Sequence, residues 1–291
     1  MKGRFAPSPT GVLHLGNLRT ALLAWLFARS AGSGFVVRVE DLDTGRVRAG
    51  LAEQQLADLA AIGLDWDGAV WVQSERVAHY ESALASLPVY ECFCTRAEIR
   101  ESASAAHGPV GSYPGTCRSL TDAERAQRRA AGREPALRVR ADATPVEFDD
   151  RLLGPQVGVV DDFVVRRNDG AFAYNLAVVV DDAAQGIEEV VRGADLLDST
   201  PRQIWLARTL GYAVPAYAHV PLVLNAQGRR LAKRDGDVTL REVDAGEAVQ
   251  WMAGSLCLAG TAASDLLAGF DPERTPREPT IWTPIGMHPT E

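Results

Sequence analysis

The sequence predicts an α/β fold with an insertion between its two halves. Three observations lead there: a strand, loop, helix, strand opening; a stretch from about 89 to 167 whose character differs from both flanks; and a return to long apolar runs after it. The 291 residues fit about two domains, each large enough to bury a core, and 46% hydrophobic with 23% charged residues is globular composition. Intrinsic disorder and collagen-like structure are excluded. Acidic side chains outnumber basic ones 38 to 30, giving a formal charge of −8 and a pI near 5.3.

In chain order, Arg4 to Ser8 reads as a first strand running into a Pro-Thr-Gly turn. After His14-Leu15-Gly16-Asn17, apolar residues at Leu18, Ala21, Leu22, Trp25 and Leu26 recur at helical spacing. Phe35 to Val39 is a short β-branched run ending in Glu40-Asp41-Leu42-Asp43, so acids stand at a strand's end. An amphipathic helix is expected over 51–63, closing at Gly63, and a second over 75–87 before Pro88. The insertion follows, with three cysteines, a Ser/Ala/Gly/Pro loop over 102–116 and an arginine-rich helix. Val178-Val179-Val180, flanked by Asp181 and Asp182, predicts a buried parallel strand within 174–182. Helix is expected over 200–210 and again past Arg241 to about 268, and the proline-rich last twenty residues read as loop. The apolar run Ala21 to Ala28 is far shorter than the ~20 residues of a bilayer span, and Arg29 ends it. Pro7, Pro9 and the His-Leu-Gly turn precede that run, which is not the order of a secretory leader. A cytoplasmic protein with no membrane partner is expected.

Phosphate-binding motifs narrow quickly. No Gly-Lys pair exists for a P-loop, and Gly32-Ser33-Gly34 lacks the third glycine of a dinucleotide loop and precedes a strand instead of following one. His14-Leu15-Gly16-Asn17 remains, between the first strand and first helix, where backbone N–H groups and the helix dipole attract phosphate. Gly16 would let a nucleotide base lie close, and the His14 imidazole could bond phosphate oxygens; an ordinary turn and helix cap would read the same. The second candidate is Arg229-Arg230-Leu231-Ala232-Lys233-Arg234-Asp235-Gly236. The chain has twenty-eight arginines and only two lysines, Lys2 and Lys233, so Lys233 is the internal position where a compact ammonium replaces the guanidinium used elsewhere. A loop carrying it could close over a triphosphate and meet the charge of a leaving pyrophosphate. A solvated basic turn is the alternative.

Four cysteines, three of them (Cys92, Cys94, Cys117) in one stretch and Cys257 alone, do not form a disulfide framework. They suit either a metal site or reduced thiols in a loop-rich insertion. Residues 118–140 hold seven arginines against Asp122, Glu124 and Glu134, a local +4 that would serve RNA contact or a solvated helix equally.

RFAPSPTGVLHLGN (Arg4 to Asn17), VRVEDLD (Val37 to Asp43), GLDWD (Gly63 to Asp67), FAYNLAVVVDDAAQGI (Phe172 to Ile187), VVRGADLLDSTPRQ (Val190 to Gln203) and RLAKRDG (Arg230 to Gly236) together resemble the catalytic core of class I glutamyl-tRNA synthetases. Six blocks in the right order cover Arg4 to about Gly236. The resemblance implies a Rossmann-type catalytic domain (1–88 and 168–220), an inserted zinc-bearing, tRNA-binding subdomain (89–167), and a loop with a small helical C-terminal region (221–291). It implies a HIGH-type motif at His14, Gly16 and Asn17 and a KMSKS-type motif at Lys233, all binding ATP, with His14 and Lys233 catalytic. The KMSKS serine is replaced by Ala232 and the last position is Arg234. Arg4 and Ser8 would contact L-glutamate, Glu40 would hold its ammonium, and Tyr174 and Arg192 would complete the pocket. Two carboxylates and one ammonium suit two guanidinium forks and one anion.

The same resemblance matches Cys92, Cys94, Tyr113 and Cys117 to a C-x-C…Y-x3-C zinc site, one structural ion per chain. Two cysteines one residue apart are tighter than the usual spacing, and His107 is a rival fourth ligand because imidazole is the better donor. ATP would be a substrate accompanied by Mg²⁺. With 57 residues after Arg234, a large helical anticodon-binding region is not expected. A catalytic core and zinc insertion without that region resemble the short members of the family, which activate glutamate with ATP and transfer it to the queuosine base in the anticodon loop of tRNA(Asp). Implied partners are L-glutamate, ATP and the tRNA(Asp) anticodon arm, bound by a monomer. A truncated synthetase charging a 3′ end, a non-catalytic tRNA-binding paralogue and a small adenylyltransferase are the alternatives.

Overall fold

The computed structural model describes residues 1–95, 97–99, 113–229, 231 and 238–282. The chain opens with β1 (Gly3–Phe5), α1 (Leu15–Ser30) and β2 (Phe35–Val39), and β2 returns parallel to β1 with Arg4 beside Val36. α1 starts where a capping box closes it: His14 Nδ1 accepts from the Asn17 amide at 3.2 Å, and Asn17 Oδ1 accepts from the His14 amide at 3.3 Å. Its apolar residues are buried nearly all round, since the helix is covered on both sides. α2 (Leu51–Ala61), β3 (Trp71–Val72, parallel to β2) and α3 (Val77–Ala85) follow.

β4 (Val89–Cys92), α4 (Asp122–Ala130), β5 (Ala136–Val139), β6 (Thr144–Asp150), β7 (Gly154–Val160) and β8 (Val164–Arg166) come next. β4, β5 and β8 form their own antiparallel sheet, whereas the β6–β7 hairpin joins the large sheet through β6. The chain then runs through α5 (Tyr174–Gln185), β9 (Glu189–Gly193), α6 (Thr200–Thr209), β10 (Ala216–Val220), β11 (Val223–Leu224), α7 (Ala245–Gly254), α8 (Ala263–Leu267) and β12 (Thr280–Ile281).

The strand expected within 174–182 is a helix. Val178, Val179 and Val180 are buried in α5, and Gly186 closes it in the left-handed region at φ 64°. A short continuous apolar run does not by itself distinguish a buried strand from a buried helix. Here α5 packs against α3 and α6, and that burial overrides the β preference of three valines.

The strands assemble as β3-β2-β1 and β9-β10-β6-β7, and the two sets meet where the Glu188 and Glu189 amides both donate to the Lys2 carbonyl, at 2.9 and 3.2 Å. From β1 the chain therefore turns one way, through α1 to β2, while β9 stands on the other side. That reversal opens a crevice beyond the carboxyl ends of β1 and β9, the usual ligand position in such sheets. One apolar cluster packs α1 with α7 and α8, and a second packs α3, α5 and α6, so helices cover both faces. Among the described residues no helix is long and apolar enough to cross a membrane.

Candidate active site

The loops leaving β1 and β9 enclose a cavity of about 520 Å³. Arg4, Ser8, His14, Gly16, Asn17, Glu40, Tyr174 and Arg192 all line it. They come from four separate stretches of chain, at 4–17, 40, 174 and 192, and the sheet order brings these together. Lys233 lies outside the described residues, but both anchors of its segment are on this site. Leu231 lines the cavity, and the Val238 carbonyl accepts from the Leu15 amide at 2.8 Å, with Thr239 bridged to His14.

His14 is the N-cap of α1, and its Nδ1 is committed to the Asn17 amide. In the neutral ring the proton is then on Nε2, a donor suited to phosphate oxygen. The space over Gly16 belongs to this ring: an added Cβ would lie 3.0 Å from His14 Cε1.

Beneath the cavity lies a buried charge network. Arg4 Nε is 3.3 Å from Asp182 Oδ1, Arg38 Nη2 is 2.8 Å from the same oxygen and 3.4 Å from Glu40 Oε1, and Arg76 Nε is 2.6 Å from Asp181 Oδ1. Tyr80 and Gln73 also donate to Asp181, at 2.8 and 3.0 Å. Three arginines face three carboxylates, a balance that buried charge requires. Burial pushes the Glu40 carboxyl up to about 7, against the pull of Arg38 and Arg4. Arg192 is held by His219, Gln203, Thr200 and the Leu196 carbonyl and reaches Tyr174 Oη at 3.4 Å.

Asp181, Asp182, Arg38, Gln203, Thr200, His219 and Asp150 escaped the sequence reading. The acids had a signal: on a helix Tyr174, Val178, Asp181 and Asp182 share a face at spacings of four, seven and eight. Read as a strand, the run hid it.

Cys92, Cys94 and Cys117 converge, their three Sγ atoms within 4.8 Å of one another. Cys94 and Cys117 Sγ are 3.4 Å apart, and Tyr113 Oη is 3.3 Å from Cys92 Sγ and 3.7 Å from Cys94 Sγ. Zn–S bonds of ~2.3 Å in a tetrahedral shell put sulfurs ~3.8 Å apart, so this donor set fits a zinc ion. His107 lies outside the described residues. The arginine patch is weaker than its count: Arg118 pairs with Asp142, Arg125 with Asp122, Arg129 with Glu91 and Arg133 with Glu98.

A second cavity, about 810 Å³, shares Ser8, Glu40 and Tyr174 with the first and extends to Cys92, Cys94 and Arg133 of the cysteine-bearing subdomain.

Residues 1–267 match the family model for the catalytic domain of class I tRNA synthetases (E and Q). A Glutamyl-Q tRNA(Asp) synthetase of Nocardia farcinica is 60% identical over 294 residues, covering 98% of this chain and 94% of that one. Another, of Symbiobacterium thermophilum, is 49% identical over 95% of this chain and 94% of its own. Among solved structures, a glutamate tRNA ligase of Elizabethkingia meningosepticum in complex with its amino acid is similar at a TM-score of 0.81 and 28% identity, covering 97% of this chain and 67% of that one.

Proposed function

The chain belongs to the class I tRNA synthetases of the glutamate and glutamine branch, and from that premise we propose that it activates L-glutamate with ATP and transfers it to the queuosine base in the anticodon loop of tRNA(Asp). It is a ligase of the aminoacyl-tRNA synthetase type. The observation that carries the acceptor is the near full-length match, at 60% identity, to a relative named for that reaction. The cavity supports the amino acid: Arg192, whose hydrogen-bond partners are uncharged, supplies a cation for one carboxylate, Arg4 lines the wall while sharing its charge with Asp182, and Glu40 is an anion for the ammonium.

In the activation step a glutamate carboxylate oxygen bonds to the α-phosphorus of ATP and pyrophosphate leaves. The α1 N-terminus, His14 Nε2–H and Lys233 meet the charge that builds on the phosphates. Mg²⁺ accompanies the nucleotide. In the transfer step a queuosine hydroxyl attacks the adenylate carbonyl, loses its proton and displaces AMP. The second cavity supports entry of the base from the side of the cysteine-bearing β4-β5-β8 subdomain, because Ser8, Glu40 and Tyr174 form a wall common to both cavities. Cys92, Cys94, Cys117 and Tyr113 would hold zinc, which when bound pins that subdomain's loops. The protein acts as a monomer on the anticodon arm.

Transfer to tRNA(Asp) whose 3′-terminal adenosine has been removed tests this reading. Glutamate should attach to the queuosine-bearing form and fail to attach to the same tRNA without queuosine. Charging that requires the 3′ adenosine and proceeds on unmodified tRNA(Glu) would refute it.

A further inference from the structure

We propose that Asp150 and His219 are positioning residues for Arg192, holding its guanidinium at the cavity through a neutral imidazole so that it meets an anionic substrate with its charge uncancelled. The proposal deepens the glutamate reading and rests on it. The three residues stand on three neighbouring strands: Asp150 ends β6, His219 is on β10, and Arg192 on β9 is its direct partner in register. They are 2%, 0% and 4% exposed.

Arg192 Nε is 3.1 Å from His219 Nε2, and His219 Nδ1 is 2.6 Å from Asp150 Oδ2. A guanidinium only donates, so Nε2 is the acceptor and the ring proton is on Nδ1, donated to Asp150. The Leu152 and Leu153 amides donate to Asp150 Oδ1 at 3.0 and 2.9 Å and the His219 amide to Oδ2 at 3.1 Å, which fixes the carboxylate. Burial holds His219 below the ordinary imidazole pKa, and the Arg192 charge acts the same way, against the Asp150 hydrogen bond. The ring is neutral at neutral pH.

The other contacts of Arg192 are Gln203 Oε1 and Thr200 Oγ1, both at 2.7 Å, the Leu196 carbonyl at 3.3 Å and Tyr174 Oη at 3.4 Å. Each of these partners is uncharged. The cavity's other arginines differ, since Arg4 pairs with Asp182 and Arg46 lies 3.9 Å from Asp43. A carboxylate touching Arg192 would fix it equally well but cancel the charge that a substrate carboxylate needs. The imidazole keeps Asp150 one ring away. The two longest contacts go to Leu196 and Tyr174, both cavity-lining, and are the ones an incoming carboxylate can replace.

The test uses glutamate-dependent ATP–pyrophosphate exchange. Asp150→Asn keeps the side-chain shape but offers an N–H to His219 Nδ1, which moves the ring proton to Nε2 against the Arg192 N–H. The glutamate KM should rise about tenfold or more while the ATP KM stays within about twofold. Adding His219→Gln should recover most of the loss, because the glutamine amide can turn its carbonyl to Arg192 whatever stands at 150. If Asp150→Asn does not fold, His219→Gln and His219→Leu in the natural background give the same comparison, and only the leucine variant should lose glutamate affinity. An unchanged glutamate KM in Asp150→Asn or His219→Leu, equal rises in both KM values, or a double variant worse than the single one overturns the relay alone. Natural protein lacking glutamate-dependent exchange overturns the functional reading, and the relay with it.

Discussion

Lowering the pH from 8 to 6 should weaken glutamate binding by removing the anion that meets its ammonium. Glu40 is buried beside Arg38 at 3.4 Å, a contact too long to satisfy the carboxylate, which therefore keeps capacity for a substrate cation. Burial raises its pKa to about 7, so the ionised form that attracts an ammonium is lost as pH falls through that value. At pH 6 about nine-tenths of the carboxyl is protonated, and the glutamate KM should be roughly tenfold above its value at pH 8. Glu40→Gln removes the charge at every pH. A hydrogen bond between charged groups is worth about 1.5–3 kcal/mol, which puts the variant's KM ~10- to 150-fold higher at pH 8. The assay is glutamate-dependent ATP–pyrophosphate exchange at saturating ATP, run across this range for both proteins. A flat glutamate KM in the natural protein, or the same slope in Glu40→Gln, refutes the assignment of Glu40 to the ammonium.

Lys233→Ala should lower adenylate formation by about 10²-fold or more, since one charged contact made in the transition state is worth ~3 kcal/mol, and Lys233→Arg should recover little; equal exchange rates in all three proteins would exclude the role. Protein purified without chelator should contain about one zinc per chain by metal analysis, and Cys94→Ser should lower both zinc content and thermal stability. Asp181→Asn leaves Arg38 and Arg76 short of a buried counter-charge and should cost about 3–5 kcal/mol in urea unfolding. A loss below about 1 kcal/mol would mean that the network under the cavity is not needed for the fold.

Much of the site was legible because its residues stand in short local patterns. His14-Leu15-Gly16-Asn17 between an extended segment and a helical spacing signals a capped N-terminus, and the capping box forms as that pattern requires. Glu40 follows a β-branched run and was placed at a strand's end from sequence, whereas Arg192 was reached only through the VVRGADLLDSTPRQ block and its place on β9 came from the structure. Cys92, Cys94 and Cys117 declared themselves by clustering. What failed was the valine run of α5, where composition fits two conformations and only the packing of α3 and α6 decides between them.

Sequence by itself determined the βαβ opening, the family and most of the residues that line the cavity, because each rests on a local period or a motif of fixed spacing. The tertiary structure alone decided which arginines carry usable charge. Arg4 meets Asp182 across 178 residues, and Arg192 meets His219 and, through it, Asp150 across three strands. Likewise Glu91, Glu98 and Asp142, outside the run or outside its helix, neutralise much of the arginine patch. A residue's charge can be read in the chain, but whether a neighbour cancels it depends on strand order and helix packing, which bring together groups that the sequence keeps far apart.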